Sequence, residues 1–507
     1  MVRFLSGAEA AALVGDGATV ALLGNGGGVL EPKTLYRCVE ERFLATGSPN
    51  GLTLYHCAGI GNKADEGLNR FAHEGMTKRV VGGHWGWSPR MQKLAIEGRI
   101  EAYNLPQGVI ASQYRELAAK RPGLITKTGL GTFVDPRVDG GKLNDRTTED
   151  LVEVVHIGGE EWLRYLPKPV DVGLMRATTA DERGNLSFEE EATYLEALAI
   201  AQAVHNNGGT VIAQVKYAAS GGSLHPQMVR VPGYLVDVVV VEPEQWQTSL
   251  APYDPALSGA IRKPLAAVAA MPLGPRKVIA RRAARFVEPG SVINLGFGMP
   301  DGVAAVAAEE GWLPTLTMTI EQGLSGGMPA GGDIFGVAYN PEVFLDAPAQ
   351  FDFYSGHGLD LTCLGLAQAD RSGNVNVSRF GTTIAGAGGF IDISQSARTC
   401  VFCGTFTASG LTVEVADGVM RIVTEGRNRK FVPQVEHITF SGDYARRSGQ
   451  TVWYVTERAV FSLGERGLVL TEIASGVDLE RDVLALMDFA PVVADDLAVM
   501  DESLFRP

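Results

Sequence analysis

Cysteine is scarce, with five in 507 residues, which excludes a disulfide-stapled scaffold. Cys400 and Cys403 form a C-x-x-C, but zinc would need a second such pair. The run Thr399-Cys400-Val401-Phe402-Cys403 reads instead as a buried strand. The eight histidines show no H-x-x-x-H or H-E-x-x-H spacing, so no metal site is expected. Basic charge is in deficit: 44 Lys and Arg stand against 58 Asp and Glu, and a net charge of −14 argues against nucleic acid as a partner. No apolar run approaches the length of a membrane span, so no membrane partner is expected. Met1 to Leu13 lacks the basic and apolar regions of a secretory signal, and a cytoplasmic location is the simplest expectation.

What is present is a long globular chain. At 507 residues, with 45% hydrophobic and 20% charged side chains, it exceeds one ordinary core and predicts two large domains. The 62 glycines cluster beside apolar runs, which places them in loops at strand ends. Comparing the chain with itself shows a repeat. Asp16-Gly17-Ala18-Thr19-Val20-Ala21-Leu22-Leu23-Gly24-Asn25-Gly26 reads as turn, buried strand and glycine loop, and Glu288-Pro289-Gly290-Ser291-Val292-Ile293-Asn294-Leu295-Gly296-Phe297-Gly298 repeats that grammar. A helix is expected from near Pro300, a residue suited to a first helical turn. The motif Ala180-Asp181-Glu182-Arg183-Gly184-Asn185 is likewise echoed by Ala369-Asp370-Arg371-Ser372-Gly373-Asn374. The paired motifs are 161 positions apart in the first half (Val20 to Asp181) and 78 in the second (Val292 to Asp370), leaving a surplus of about 83 residues within 30–170.

Strands alternating with helical patterns predict an α/β fold of two related open-sheet domains with mainly parallel strands. Ligands in such folds lie at the carboxyl ends of strands, so the glycine loops and both Ala-Asp turns are candidates for a site shared between the halves. The boundaries are set at 1–255 and 276–507, joined by a proline-rich linker at 256–275.

One carboxylate occupies a notable context. Glu321 closes the β-like run Leu316-Thr317-Met318-Thr319-Ile320, and five glycines follow between Gln322 and Gly332. The residues alone leave a turn carboxylate and a nucleophile both open. Chemistry permits the second, because a glutamate with a pKa of about 4.3 is ionised at neutral pH and needs no general base. It can attack a thioester and keep the acyl group activated as a mixed anhydride. A serine-elbow alternative is not expected. The turn Gly386-Ala387-Gly388-Gly389 could present amides to a developing oxyanion or merely turn the chain. Neither early glycine loop fits G-x-G-x-x-G. His84, Trp85 and Trp87 could line a pocket for an adenine or pantetheine group, but packing is the preferred reading.

Several blocks resemble the family I coenzyme A transferases, most closely the propionate (acetate) type in which α-type and β-type halves are fused. In the second half they are Glu321-Gln322-Gly323 through Gly332, Gln350-Phe351-Asp352-Phe353-Tyr354, Leu364-Gly365-Leu366-Ala367-Gln368-Ala369-Asp370 and Gly389-Phe390-Ile391-Asp392-Ile393. In the first half they are Ala102-Tyr103-Asn104-Leu105-Pro106-Gln107-Gly108 and Thr128-Gly129-Leu130-Gly131-Thr132-Phe133. The resemblance implies a duplicated, Rossmann-like (NagB-like) fold and a ping-pong cycle through a glutamyl-CoA thioester on Glu321. It implies that Gln107 and the Gly388 and Gly389 amides bind substrate oxygen, with Asn374 near the acyl group. Gly296, Gly298, Met299 and Pro300 would face coenzyme A, which is a substrate here, with no tightly bound cofactor. An acyl-CoA, a short-chain carboxylate and a second copy of the chain (dimer or tetramer) are the implied partners. Gln322 departs from the Asn that many relatives carry, which bears on fine substrate preference. An acyl-CoA hydrolase using the same glutamate is the near alternative. A sugar-phosphate or effector-binding sensor would need a DNA-binding module and a basic patch, and neither is read in the sequence.

Overall fold

The segment Val172–Asp181, apolar over its first four residues, is buried along its whole length and forms an inner strand of the first sheet. Burial on both faces is what a continuous hydrophobic run encodes in a parallel sheet. The computed structural model describes residues 2–264 and 271–506. The first sheet runs Arg3–Phe4, Val238–Val241, Thr210–Ala219, Val172–Asp181, Thr19–Leu22, Leu52–His56, Thr77–Gly82 and Glu101–Asn104. Every neighbouring pair in that order is parallel. Parallel neighbours need long crossovers, supplied by helices such as Lys33–Thr46 and Gln107–Ala118.

The second sheet has ten strands built around Thr317–Ile320, Val292–Leu295, Leu361–Gly365, Thr399–Cys403 and Thr451–Val455, again parallel. Antiparallel strands extend it at both sides. Cys400 and Cys403 are buried within one of its central strands and are free. The longer middle of the first half carries a separate antiparallel sheet, Leu124–Thr126, Glu160–Tyr165 and Val152–Ile157. Helix Pro275–Ala284 packs into the second-half core through Val278 and Ile279. Of the expected linker, 265–270 lie outside the described residues.

The repeat is real at the level of hydrogen bonds. Asp181 Oδ1 accepts from the amides of Arg183 and Asn185, and its Oδ2 accepts from Asn185 Nδ2. Asp370 does the same with Ser372 and Asn374. Both turns place a glycine at positive φ, Gly184 at 83° and Gly373 at 79°, as a left-handed residue there demands. Buried clusters join the halves: Val109, Ile110 and Tyr114 of the first pack with Phe351, Tyr354 and Ile391 of the second, and Val29 and Ala192 of the first with Ile320 and Leu324 of the second.

Candidate active site

Glu321 is the first residue beyond the carboxyl end of strand Thr317–Ile320 and opens a three-residue hairpin loop, Glu321-Gln322-Gly323, back to Leu324–Ser325. Gly323 makes the loop feasible. Its φ is 97°, its N–H donates to Ile320 O (2.9 Å), and a Cβ there would lie 2.1 Å from Leu345 O. The first half grips the tip: Gln322 Nε2 donates to Asn25 Oδ1 (3.2 Å), and Thr193 Oγ1 donates to Gln322 O.

The string Gly323-Leu324-Ser325-Gly326-Gly327 does satisfy G-x-S-x-G, contrary to the expectation from sequence. Its context is wrong for a serine elbow, because Ser325 pairs antiparallel with Thr319 rather than sitting on a strand-to-helix turn.

The Glu321 carboxylate is buried, and its contacts are amides: Asn294 Nδ2 to Oε2 and Gln322 Nε2 to Oε1, both 3.4 Å. Burial raises its pKa above the ordinary glutamate value, and its own backbone N–H, followed by these two long amide contacts, only partly opposes the rise. The carboxylate is therefore weakly solvated and weakly paired, which favours attack on an electrophile. It lines a cavity of about 390 Å³ between the halves. Asn25, His84, Trp87 and Gln107 come from the first half, and Asn294, Gly296, Phe297 and Gly389 from the second.

The turn after Ile384 offers one free amide. Gly386 N–H donates to Ser378 O, Ala387 N–H to Asn104 Oδ1 (2.9 Å) and Gly388 N–H to Gly83 O (2.7 Å). Gly389 N–H has no partner among the described residues. A Cβ on Gly389 would lie 3.3 Å from Glu321 Cγ, so Gly389 packs against the Glu321 side chain. The expectation that both glycine amides face substrate is thus corrected for Gly388. Its carbonyl accepts from Gln107 N–H (2.9 Å), and this bond seats Gln107 at the start of its helix, on the cavity wall.

Other expectations separate in the same way. Asn374 does not line the cavity; its side chain holds the Asp370 turn and accepts from Gly442 N–H (2.9 Å). Its twin Asn185 has the same turn-building role, so neither Ala-Asp turn belongs to the site. Gly296 lines the cavity, whereas Gly298, Met299 and Pro300 do not: Gly298 N–H donates to Asp301 Oδ2 and Met299 packs against the second-half core. Trp85 is a core residue, as read, but His84 and Trp87 line the cavity.

Lys63 and Phe335 carry no signal in the sequence, while Phe297 and Asp392 appear there only inside the repeated glycine loop and the family-like block. Lys63 Nζ lies 4.3 Å over the Trp87 ring and 3.6 Å from Asp333. Phe297 and Phe335 meet edge to face at 5.3 Å. Asp392, in the helix after Gly389, accepts from Gly108 N–H (3.2 Å), and burial pushes its pKa up to about 8. Among the described residues, no cluster of three or more His, Cys, Asp or Glu side chains could hold a metal, and no helix is long and apolar enough to cross a membrane.

The coenzyme A transferase family matches residues 4–242. The acetate CoA-transferase YdiF of Escherichia coli O157:H7 is 47% identical over 505 residues, 99% of this chain and 95% of that protein. The caffeate CoA-transferase of Acetobacterium woodii is 46% identical over 513 residues, 100% of this chain and 98% of that protein. A solved structure of the E. coli O157:H7 acyl-CoA transferase YdiF, a thioester complex with CoA, matches with a TM-score of 0.95 at 46% identity, covering 99% of this chain and 96% of that one.

Proposed function

The chain belongs to the coenzyme A transferase family, and from that membership we propose that it moves coenzyme A between a short-chain acyl-CoA, such as acetyl- or propionyl-CoA, and a free carboxylate, with Glu321 as the covalent carrier. The observation that carries this reading is a buried, weakly paired carboxylate beside the unspent amide of Gly389 in a cavity between the two halves.

Glu321 attacks the thioester carbonyl carbon. The C–S bond breaks, coenzyme A leaves as its thiolate, and an acyl-glutamyl anhydride remains. The thiolate then attacks the Glu321 carbonyl, expels the first acid as its carboxylate and leaves a glutamyl-CoA thioester. An incoming carboxylate runs both steps in reverse, and no proton is gained or lost overall. Gly389 N–H, with the Gln107 amide across the turn, is suited to the oxyanion that forms at each attack. Phe297, Phe335, Trp87 and Lys63 offer an apolar, singly cationic lining for the pantetheine arm, and Gly296 leaves room beside them.

Replacing Glu321 with alanine tests the reading. Glu321→Ala should abolish transfer from propionyl-CoA to acetate while the protein stays folded, and wild-type protein mixed with acyl-CoA should yield a coenzyme A adduct on the Glu321 peptide by mass spectrometry. Retained transfer in the variant would sink the proposal. Thioester cleavage that proceeds as fast in carboxylate-free buffer as with acetate would assign hydrolysis to the same glutamate instead.

A further inference from the structure

His84 is the one imidazole on the cavity wall. Its loop is stitched to the turn that carries Gly389: Trp85 N–H and Gly86 N–H donate to Ala385 O (2.7 and 3.0 Å), and Gly388 N–H donates to Gly83 O. The ring is thereby held on the same seam as the free amide. A Cβ on Gly388 would meet His84 Cδ2 at 3.6 Å and Gln107 Oε1 at 3.8 Å, so both side chains border one end of the cavity. Glu321 borders it through Gly389.

The tautomer follows from the backbone. Gly86 N–H, shared with Ala385 O, also points at His84 Nδ1 (3.2 Å). A ring nitrogen facing an N–H must offer its lone pair, so the proton resides on Nε2. A second proton on Nδ1 would confront the Gly86 N–H, and burial beside His56 and Lys63 also holds the imidazole neutral, its pKa drawn down to about 4. Nε2 has no protein partner among the described residues. It is not sealed either, unlike His56 Nε2, which is enclosed by protein without a partner.

We infer that His84 is a further catalytic residue of the proposed reaction, its Nε2–H donating a hydrogen bond to the substrate oxygen on the reacting carbon alongside Gly389 N–H and Gln107. This rests on the transferase reading. A neutral donor suits a site whose substrates arrive as both thioester and carboxylate: it strengthens as the carbonyl oxygen becomes an oxyanion, without locking the carboxylate in an ion pair. His84 takes up no proton in any step.

The test compares His84→Gln, whose amide nitrogen falls near the Nε2 position, with His84→Asn, whose amide falls near Nδ1, and with His84→Phe, which fills the volume without a donor. Transfer from propionyl-CoA to acetate is measured, since neither acyl group carries another oxygen. We expect His84→Phe and His84→Asn to lose about 10²-fold in kcat with little change in KM, and His84→Gln to recover at least tenfold. Wild-type kcat/KM should show no titration between pH 6 and 7.5. Equal rates for the Gln and Asn variants, both melting as wild type does, would overturn the inference, as would a wild-type limb near pH 6.5 that disappears in His84→Phe. Slow formation of the Glu321 adduct in the variants keeps the outcome separate from the transferase reading, which fails only if wild-type protein forms no adduct.

Discussion

Asp392 offers a quantitative check on how the seam between the halves is built. Its carboxyl is 1% exposed, accepts one backbone hydrogen bond from Gly108 and has no cationic partner among the described residues. Burial chiefly, with a smaller contribution from the Glu321 charge, lifts its pKa from 3.8 to about 8. Folded protein therefore keeps a proton that unfolded chain releases above pH 3.8. The stability this group contributes is fully present below that value, declines as pH rises towards 8, and is flat beyond it. The slope is at most about 1.4 kcal/mol per pH unit, a ceiling of roughly 4 kcal/mol between pH 5 and pH 8. Asparagine has the same shape, can still accept from Gly108 and titrates in neither state. Asp392→Asn should unfold in guanidinium chloride much like wild type at pH 5 and be clearly more resistant at pH 8. Glu31 and Glu196, also buried with pKa values raised to about 7, are common to both proteins and cancel in the difference. A variant-minus-wild-type difference that stays constant from pH 5 to pH 8 would refute the argument that burial keeps Asp392 protonated.

Gly389→Ala should fold normally, because φ at this position is ordinary (−82°), yet its Cβ would stand 3.2 Å from Ile393 Cδ1 and 3.3 Å from Glu321 Cγ. Displacement of the carboxylate should lower kcat by about tenfold or more, and a melting temperature near wild type with unchanged kcat would contradict the proposed pairing of amide and carboxylate. Lys63→Ala removes the cation over Trp87 at the cavity mouth. The KM for acyl-CoA should rise several-fold at low ionic strength, and the difference should shrink as salt screens the charge; a salt-independent KM equal to wild type would remove Lys63 from the ligand path.

The sheets were legible because apolar runs such as Val20-Ala21-Leu22-Leu23 and Cys400-Val401-Phe402-Cys403 admit few other readings. The repeated Asp-Gly-Asn turns were equally readable, but their meaning was not. The same Asp and Asn spacing that marks duplication also builds an Asx-type turn, and Asn374 spends its side chain there. Glu321 stood out through its glycine context, since Gly323 is forced by a positive φ and by the Leu345 carbonyl. The amide inventory of Gly386–Gly389 was hidden, because two of its three acceptors, Asn104 Oδ1 and Gly83 O, are remote in sequence and come from the other half. Lys63 and Phe335 had no signal for the same reason: only the docking of the halves brings the Lys63–Trp87 pair opposite Phe335.

That docking also explains how a glutamate can be desolvated without being neutralised by a cation. A lysine or arginine at salt-bridge distance would stabilise the Glu321 carboxylate before reaction more than in the transition state, where its charge is passing to the thioester oxygen. Here the charge is stabilised instead by the residue's own backbone N–H and by the side-chain amides of Asn294 and Gln322 at 3.4 Å, a distance at which these amides orient the carboxylate but bind it weakly. Gly389 N–H, which has no partner among the described residues, is the donor proposed for the oxygen that acquires charge. Neither half could supply this alone. The carboxylate hairpin and the Gly389 amide belong to the second, whereas the bonds that orient them come from Asn25, Thr193, Asn104 and Gly83 of the first. Duplication with fusion thus accounts for the proposed chemistry as well as the topology, because the carboxylate proposed as nucleophile is held by one half and oriented by the other.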